Sequence, residues 1–290
     1  PTGEIIWTGA NVLKNATGYD LTALMIGSEG TLGVITKIVF KLIPLPTKDI
    51  TMLVPFSSAE KACEAVSAVF RAGITPSALE FIERDAIDWA LKYTDVKLQI
   101  DADVQAHLLV EVDGDDMDLL YKDCERIFEV MESFECGEIL LADSESQKNN
   151  IWKLRREIAE SVKANSVYKE EDTVVPRAEL AKLLKGVKAI GKAYGFQSVC
   201  YGHAGDGNLH INIIKGEMSD VDWNSKLTLG IREIFELTYS LGGTLSGEHG
   251  IGLVQKDYMD IVFSEKALDL QKGIKNLFDP NGILNPGKIF

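Results

Sequence analysis

The sequence predicts an α+β fold, because two stretches of the chain repeat the same order of strand and helix patterns. The first stretch spans residues 50–141 and the second spans residues 173–246. Short apolar runs of strand length and longer segments of helix length give both stretches the order β-α-β-β-α-β. This order is the ferredoxin-like arrangement. We therefore expect two tandem units that form an antiparallel sheet with helices mostly on one face.

Each element of this pattern has a position in the sequence. In the first stretch we predict strands at residues 50–55, 78–82, 106–112 and 138–141, helices at 57–72 and 116–132, and an inserted helix and loop at 84–103. A long helix over residues 144–163 follows, and Ser144 and Gln147 have the spacing of a capping box at its start. In the second stretch we predict strands at 173–175, 197–203, 208–214 and 244–246, and helices at 177–194 and 220–241, before a last helix around 264–277.

The N-terminal 47 residues do not follow this pattern. They are rich in glycine and in short apolar segments that predict strands, and Pro44 and Pro46 suit a linker because proline breaks regular structure. We therefore divide the chain into residues 1–47 and 48–290. The chain lacks an initiator methionine and starts within an ordered-looking segment, so we expect it to be a piece of a longer protein.

Composition and charge narrow the class of protein. The 290 residues carry a formal net charge of −14 and are 46% hydrophobic, which is ordinary for a globular enzyme and argues against nucleic acid as a partner. No apolar run reaches the length of a transmembrane segment. Scattered cysteines without a C-x-x-C pair predict free thiols in a reducing cytoplasm. They are Cys63, Cys124, Cys136 and Cys200.

Two histidines flank a predicted β-hairpin turn in the segment YGHAGDGNLHIN, residues 201–212. Its Asp-Gly pair predicts a two-residue turn, which would place His203 directly opposite His210 with their Cβ atoms about 5 Å apart. Two imidazoles at that spacing can share one metal ion. Strand alternation also puts Tyr201 and Asn212 on the histidine face. The alternative is that both histidines only satisfy hydrogen bonds near the turn.

A second glycine-rich cluster, SGEHGIG at residues 246–252, contains an acid next to a third histidine. A carboxylate with two imidazoles is a common ligand set for a divalent transition metal. Neighbouring residues of an extended chain point to opposite sides. If Glu248 faces the metal, His249 can therefore face elsewhere and act as a base near neutral pH. The alternative is a glycine-rich turn that carries a surface acid.

One arginine lies on the apolar face of the predicted helix 144–163. Arg155 falls within the apolar stripe of that helix, whereas Arg156 falls outside it. A buried charge needs a partner, which could be an anionic substrate or an acidic residue in a structural ion pair. Residues 170–172, just after Lys169, form an acidic run that we expect to be solvated.

Taken together, these motifs resemble the FAD-linked oxidase family of the vanillyl-alcohol-oxidase fold, in the branch of glycolate oxidase, D-lactate dehydrogenase and D-2-hydroxyglutarate dehydrogenase. The resemblance rests on GHAGDGNLH, SGEHGIG, the terminal LNPGKIF and the more widely shared GSEGTLGVIT. It implies oxidation of a lactate- or glycolate-like D-2-hydroxy acid to the 2-oxo acid, with FAD and a divalent metal such as Zn, Mn or Fe.

Metal and base positions follow from the same resemblance. His203, His210 and Glu248 match the family's metal ligands, and His249 matches its catalytic base. Residues 1–47 are then the remnant of an FAD-binding domain. Residues 48–290 are the substrate domain with a C-terminal helical return to the flavin.

Substrate and flavin positions are assigned in the same way. Arg155 looks like the arginine that binds the substrate carboxylate, and Asn212 is similar to a residue that lines the substrate pocket, to which we add Tyr201 on the same predicted face. The residues that match flavin-contacting positions are Gly27, Ser28, Gly30, Thr31, Gly33, Ile35 and Asn285.

A glycine-rich loop that cradles the FAD pyrophosphate in this family has no counterpart here, so we expect the chain alone to bind FAD weakly or not at all and to be inactive. In the family the electron acceptor is a quinone, a cytochrome, an iron–sulfur subunit or an electron-transfer flavoprotein, and such a partner could hold a cytoplasmic protein at the membrane periphery. Two other functions stay open, a metallohydrolase with the same two-His, one-Glu set and a non-catalytic metal-binding subunit of a redox complex.

Overall fold

The structure is a computed structural model that describes residues 1–290 and divides into two compact units. The smaller unit consists of Pro1–Pro44 together with Glu248–Phe290, and the larger unit of Leu45–Gly247. Helix α1 (Leu21–Met25) belongs to the smaller unit.

Seven strands and six helices make up the larger unit. The strands are β1 (Lys48–Phe56), β2 (Ala78–Glu83), β3 (Ala106–Gly114), β4 (Leu140–Leu141), β5 (Tyr168–Val174), β6 (Gln197–Gly202) and β7 (Asn208–Ile214). The helices are α2 (Ala59–Arg71), α3 (Arg84–Tyr93), α4 (Met117–Glu132), α5 (Glu145–Asn165), α6 (Leu180–Tyr194) and α7 (Asp220–Ser240).

All strand pairs are antiparallel, in the order β4-β1-β3-β2-β6-β7-β5. The first four strands in this order form one ferredoxin-like unit. Its strand β2 pairs Ile82 with Tyr201 of β6, which joins it to a second ferredoxin-like unit that contains β6, β7 and β5. The predicted strand at 244–246 is wrong as a strand, because only a single bridge from Thr244 to Val174 forms there. That bridge still occupies the place of a fourth strand beside β5. The tandem prediction is therefore confirmed.

Helices cover both faces of the sheet. On one face Leu53, Ile82 and Leu109 form a core with the apolar sides of α3 and α5. On the other face the fully buried Met52 and Leu108 lie in strands that pack against α2 and α4, and α6 and α7 continue that layer. Burying one such leucine or isoleucine completely contributes about 1.5–3 kcal/mol. Four helices thus lie on one face and two on the other.

The start of α5 carries the predicted N-cap. The Ser144 hydroxyl oxygen accepts a hydrogen bond from the amide of Gln147 at 3.3 Å. The Gln147 side chain accepts from the amide of Asp143 at 2.8 Å, one residue before the donor that a capping box uses. Both bonds satisfy amides near a helix start, which fixes where α5 begins.

A histidine outside both motif clusters, His107 of β3, gives a pH-dependent stability prediction. Burial, and secondarily the charge of Arg84, lower the pKa of His107 to about 4. Between about pH 6.5 and pH 4 the unfolded chain therefore binds a proton that the folded chain does not, so the free energy of unfolding falls as the pH falls. Across the whole window this contributes about 3 kcal/mol.

Urea unfolding at pH 7 and at pH 4.5 measures this effect. Replacement of His107 by leucine removes the titrating group, so the variant should lose less stability than the wild type between the two pH values. The remaining titratable groups contribute equally to the pH dependence of both proteins, so their contribution cancels when the two proteins are compared. Identical pH dependence of the two proteins would show that His107 titrates normally in the folded state.

The smaller unit contains α1 and two C-terminal helices, α8 (Met259–Val262) and α9 (Glu265–Phe278), but no strand. The strands predicted within the N-terminal 47 residues are therefore wrong in this structure. Val34 and Phe40 of this segment have exposed fractions of 79% and 74%. A strand needs a neighbouring edge to pair with its backbone, and no other segment of the smaller unit supplies one.

Charged side chains connect the two segments of the smaller unit. The Glu29 carboxylate accepts hydrogen bonds from the amides of Ile251 at 2.7 Å and Gly252 at 2.8 Å. The Lys275 ammonium donates to the carbonyl of Thr31 at 2.8 Å. The chain has no helix with both the length and the apolar composition needed to cross a membrane.

Candidate functional site

The turn between β6 and β7 differs from the predicted two-residue hairpin. Tyr201, not His203, lies directly opposite His210, so the predicted register is wrong by two residues. Residues Ala204–Asp206 form a 3-10 turn, and Gly207 follows with a φ of +78°. Val175 donates its amide to the Gly207 carbonyl at 3.0 Å, so the longer loop is fixed by packing against the end of β5.

The two histidines nevertheless lie side by side. The ring centroids of His203 and His210 are 5.5 Å apart with a perpendicular orientation, and the Tyr201 ring is 5.3 Å from His210. Direct pairing places Tyr201 and His210 on one face of the sheet, and alternation adds Asn212 to it. The structure thus brings together four of the side chains that the sequence predicted.

Glu80 of β2 links this cluster to Arg155. One carboxylate oxygen of Glu80 lies 2.8 Å from Nδ1 of His203, and the other accepts a hydrogen bond from Nε of Arg155 at 2.8 Å. Burial alone would raise the pKa of Glu80, but the His203 hydrogen bond and the Arg155 charge outweigh it and leave the pKa below its usual value. Glu80 is therefore a carboxylate. No motif in the sequence indicated its role.

Arg155 lies on the buried stripe of α5, as predicted. Its exposed fraction is 8%, its Nη2 is 2.7 Å from Glu80, and its Cζ stands 5.1 Å from the centre of the Tyr201 ring. Arg156 is exposed. The structural ion pair that the sequence left open is thus present, and it holds the guanidinium beside the histidine cluster.

A second buried carboxylate, Asp172 of β5, faces the other histidine. Asp172 lies opposite His210 in the sheet, with 3.6 Å between Oδ1 and Nδ1. It also accepts hydrogen bonds from the Asn208 side chain at 2.6 Å and from the Gly247 amide at 3.0 Å. The predicted solvated acidic run is therefore wrong for Asp172, which is fully buried, and for Glu171, which is 1% exposed.

Glu171 and Asp172 point to opposite faces of the sheet, because strand alternation separates neighbouring residues. Glu171 lies 3.2 Å from the Lys169 ammonium on the face away from His210. Strand pairing explains both burials. These neighbouring acids have different partners, Lys169 of the same strand for Glu171 and His210 of the neighbouring strand β7 for Asp172.

Asn212 and Tyr201 add polar groups to the histidine face. Asn212 is fully buried, and neither atom of its amide completes a hydrogen bond, although the Tyr201 hydroxyl lies close enough to interact with it. Burial, together with the charge of Glu170, raises the pKa of Tyr201 to about 12. Tyr201 is thus a neutral hydroxyl that can donate a hydrogen bond.

Glu248 and His249 belong to the smaller unit and follow Gly247 directly in the chain. Their side chains are about half exposed, and Nε2 of His249 lies 3.9 Å from a carboxylate oxygen of Glu248. The expectation that they point to opposite sides is therefore wrong. The backbone is not a regular strand here, since Gly250 has a φ of +79°, and a Cβ on Gly250 would lie 2.7 Å from the Glu29 carboxylate.

Six of the seven predicted flavin-contacting residues line a depression of about 520 Å³ in the smaller unit. Thr31 is the exception, because it is buried and donates its hydroxyl to the Ser28 carbonyl at 2.7 Å. A Cβ on Gly30 would come within 2.7 Å of the Asn285 side chain, so glycine keeps the floor of the depression open. The predicted residues that line it are Gly27, Ser28, Gly30, Gly33, Ile35 and Asn285.

The larger unit is thus an α+β domain whose antiparallel sheet is built from two ferredoxin-like units. The family "FAD linked oxidases, C-terminal domain" matches residues 45–289, and the chain belongs to this family.

Curated relatives agree with this family. The chain is 35% identical to D-lactate dehydrogenase of Anaerostipes hadrus, covering 100% of the chain and 62% of that protein. It is 34% identical to glycolate oxidase subunit GlcD of Bacillus subtilis, covering 99% of the chain and 61% of that protein. Identity to D-2-hydroxyglutarate dehydrogenase of Stutzerimonas stutzeri is also 34%, over 99% of the chain and 62% of that protein. The chain therefore spans about three fifths of the length of these relatives.

Among solved structures, p-cresol methylhydroxylase with substrate bound has a TM-score of 0.70 at 16% identity, over 97% of the chain and 60% of that protein. Alkyldihydroxyacetonephosphate synthase has a TM-score of 0.61 at 15% identity, over 93% and 50%. These likenesses establish the fold.

Proposed function

We propose that the chain is the substrate-binding part of an FAD-dependent dehydrogenase that oxidises a lactate- or glycolate-like D-2-hydroxy acid to the 2-oxo acid. The observation that carries this proposal is the pair of adjacent imidazoles, each backed by a buried carboxylate. His203 is backed by Glu80 at 2.8 Å and His210 by Asp172 at 3.6 Å. The names of the relatives, D-lactate dehydrogenase and glycolate oxidase subunit, support the substrate class.

A divalent metal fits this donor set. Since Nδ1 of each histidine faces a carboxylate, Nε2 of His203 and Nε2 of His210 are the nitrogens that would ligate Zn, Mn or Fe. We propose Glu248 as the third ligand. Glu248 directly follows Gly247 in the chain. The Gly247 amide donates a hydrogen bond to the same Asp172 carboxylate that faces His210. When bound, the metal supplies a Lewis acid that lowers the pKa of the substrate hydroxyl.

Three side chains of the larger unit are proposed to bind and orient the substrate. Arg155 attracts the carboxylate of the hydroxy acid, and the neutral Tyr201 hydroxyl and the Asn212 amide supply hydrogen bonds. A buried amide without a completed hydrogen bond costs free energy, so a ligand that pairs with Asn212 recovers it. Arg155 keeps its orientation through Glu80 while it binds.

His249 is proposed to take the proton of the substrate hydroxyl, because it adjoins the ligand Glu248 and a histidine can accept a proton near neutral pH. FAD, when bound, supplies the acceptor for the hydride that leaves the α-carbon. Its site would involve the depression lined by Gly27, Ser28 and Asn285, with residues 1–47 as part of an FAD-binding domain and 48–290 as the substrate domain with its C-terminal return. We propose that the electrons taken from the substrate would go to a quinone, a cytochrome, an iron–sulfur subunit or an electron-transfer flavoprotein. Where that partner lies at the membrane, the protein would lie at the membrane periphery.

Anaerobic bleaching of the flavin tests this proposal in the full-length protein. D-lactate, glycolate and D-2-hydroxyglutarate are added separately, before and after the metal is removed with a chelator. We expect D-lactate or glycolate to bleach the flavin, the bleaching to stop on metal removal, and the divalent metal to restore it. Bleaching that is indifferent to the chelator would remove the metal from the proposal. No bleaching by any of the three acids would refute the substrate class.

A further inference from the structure

Glu80 is the one carboxylate that contacts both a proposed metal ligand and the proposed substrate-binding cation. Its two oxygens are divided between them, one at 2.8 Å from Nδ1 of His203 and the other at 2.8 Å from Nε of Arg155. The three groups come from elements far apart in sequence, namely β2, the loop after β6, and α5. Glu80 therefore connects polar side chains from all three of these elements.

Burial restricts the conformations of Glu80 and Arg155. Glu80 is 6% exposed and Arg155 is 8% exposed, so water cannot replace either partner easily. The imidazole of His203, by contrast, is 40% exposed and lies in a loop, not in a strand. A side chain in such a loop has several rotamers available, and the hydrogen bond to a fixed, charged acceptor selects one of them.

We propose that Glu80 is a positioning residue that fixes the orientation of His203 and Arg155 relative to each other. The proposed metal ligand and the proposed substrate-binding arginine are then both oriented by one carboxylate. This inference rests on the proposed function, since it requires His203 to be a metal ligand. Carboxylates that accept a hydrogen bond from a ligating histidine fix its orientation and raise its basicity, and their removal weakens metal binding about 10- to 100-fold.

Zn²⁺ binding to the full chain tests the proposal without any turnover, by competition with a chromophoric chelator. Glu80→Met removes the acceptor and should weaken Zn²⁺ binding about 10- to 100-fold. Glu80→Gln keeps an oxygen that can accept from Nδ1 of His203 but has no charge, so its Zn²⁺ affinity should lie between those of the wild type and Glu80→Met.

A matched control is Glu83→Gln on the same strand. Alternation places Glu83 on the opposite face of the sheet from Glu80. Its carboxylate accepts from Lys188 at 2.7 Å and from the Cys200 amide at 3.0 Å. Glu83→Gln removes a buried charge of the same kind and should lower stability to urea while leaving Zn²⁺ affinity within about twofold of the wild type, the spread that independent sites produce.

The double variant Glu80→Met/Arg155→Met separates positioning from folding. A single substitution leaves a buried guanidinium without its partner, which destabilises the protein, whereas replacing both partners with apolar groups is often neutral. We therefore expect the double variant to regain urea stability but to keep the weakened Zn²⁺ binding. If its Zn²⁺ affinity returned together with its stability, Glu80 would be only a structural residue.

Two further outcomes separate this inference from the proposed function. Wild-type Zn²⁺ binding with unchanged affinity in Glu80→Met would overturn the role of Glu80 alone. No Zn²⁺ binding by the wild-type chain would overturn the metal site of the proposed function and this inference with it.

Discussion

Replacing His249 by glutamine should lower the kcat of the FAD-loaded full-length protein about 10²- to 10⁴-fold, the range over which a positioned general base acts. Glutamine keeps the approximate size and polarity of the side chain but cannot accept the proton of the substrate hydroxyl. Because His249 is proposed as the base and not as a ligand, the metal content of the variant should remain that of the wild type. Substrate-driven flavin reduction in a stopped-flow instrument measures the rate, and elemental analysis measures the metal.

The metal content and KM of the His249→Gln variant are needed as controls because His249 lies close to Glu248. His249 lies 3.9 Å from Glu248, so a substitution there could disturb the proposed ligand as well as the base. A loss of kcat with normal metal content and an unchanged KM indicates that only the transition state was affected. The matched control is His107→Leu, which removes a histidine of β3 that has no role in the proposed site and should leave kcat unchanged. A His249→Gln protein with wild-type kcat would assign the base to another residue.

The order of elements could be predicted from sequence because each helix and strand is coded by its own local pattern. The core stripe of α5 illustrates this. Ile151, Leu154, Ile158 and Val162 are all buried, and Arg155 lies among them. The tandem arrangement could be predicted from the order of these patterns, although most of β5 and the single bridge at Thr244 differ from the predicted strands.

The hairpin register could not be predicted, because it depends on a contact outside the hairpin. An isolated Asp-Gly pair favours a two-residue turn, which needs positive φ at both positions. In the structure only Gly207 of that pair has a positive φ. The hydrogen bond from Val175 to Gly207 holds the loop against β5, and this tertiary contact selects a longer turn.

Glu80 and Asp172 were missed for a related reason. Glu80 is 123 residues from His203 in the chain, and Asp172 is 36 residues from Asn208. Neither acid belongs to a motif, and Asp172 stands in a charge run that is typical of a solvated surface. Only the strand pairing shows that these acids face the histidines. An alternating reading of residues 168–174 as a strand was the one available signal, since it separates Glu171 from Asp172.

Gly207→Ala should destabilise the protein by about 2–5 kcal/mol, because two separate costs add at this position. An alanine with positive φ costs about 1–2 kcal/mol. In addition, a Cβ on Gly207 would lie 2.0 Å from the carbonyl oxygen of Val175, a backbone atom that cannot rotate away. The loop would have to leave the end of β5, and the hydrogen bond between Val175 and Gly207 would be lost with it.

Gly195→Ala is the control that isolates the second cost. Gly195 ends α6 with a φ of +86°, close to that of Gly207, but nothing lies within 4 Å of its Cβ position. This variant should therefore lose only the conformational part, about 1–2 kcal/mol, in urea unfolding. Because the loop with Gly207 also carries His203, Gly207→Ala should weaken Zn²⁺ binding and Gly195→Ala should not. Equal losses of stability in the two variants would mean that the loop moves without cost. In that case the packing of this loop against β5 would not be what holds His203 beside His210.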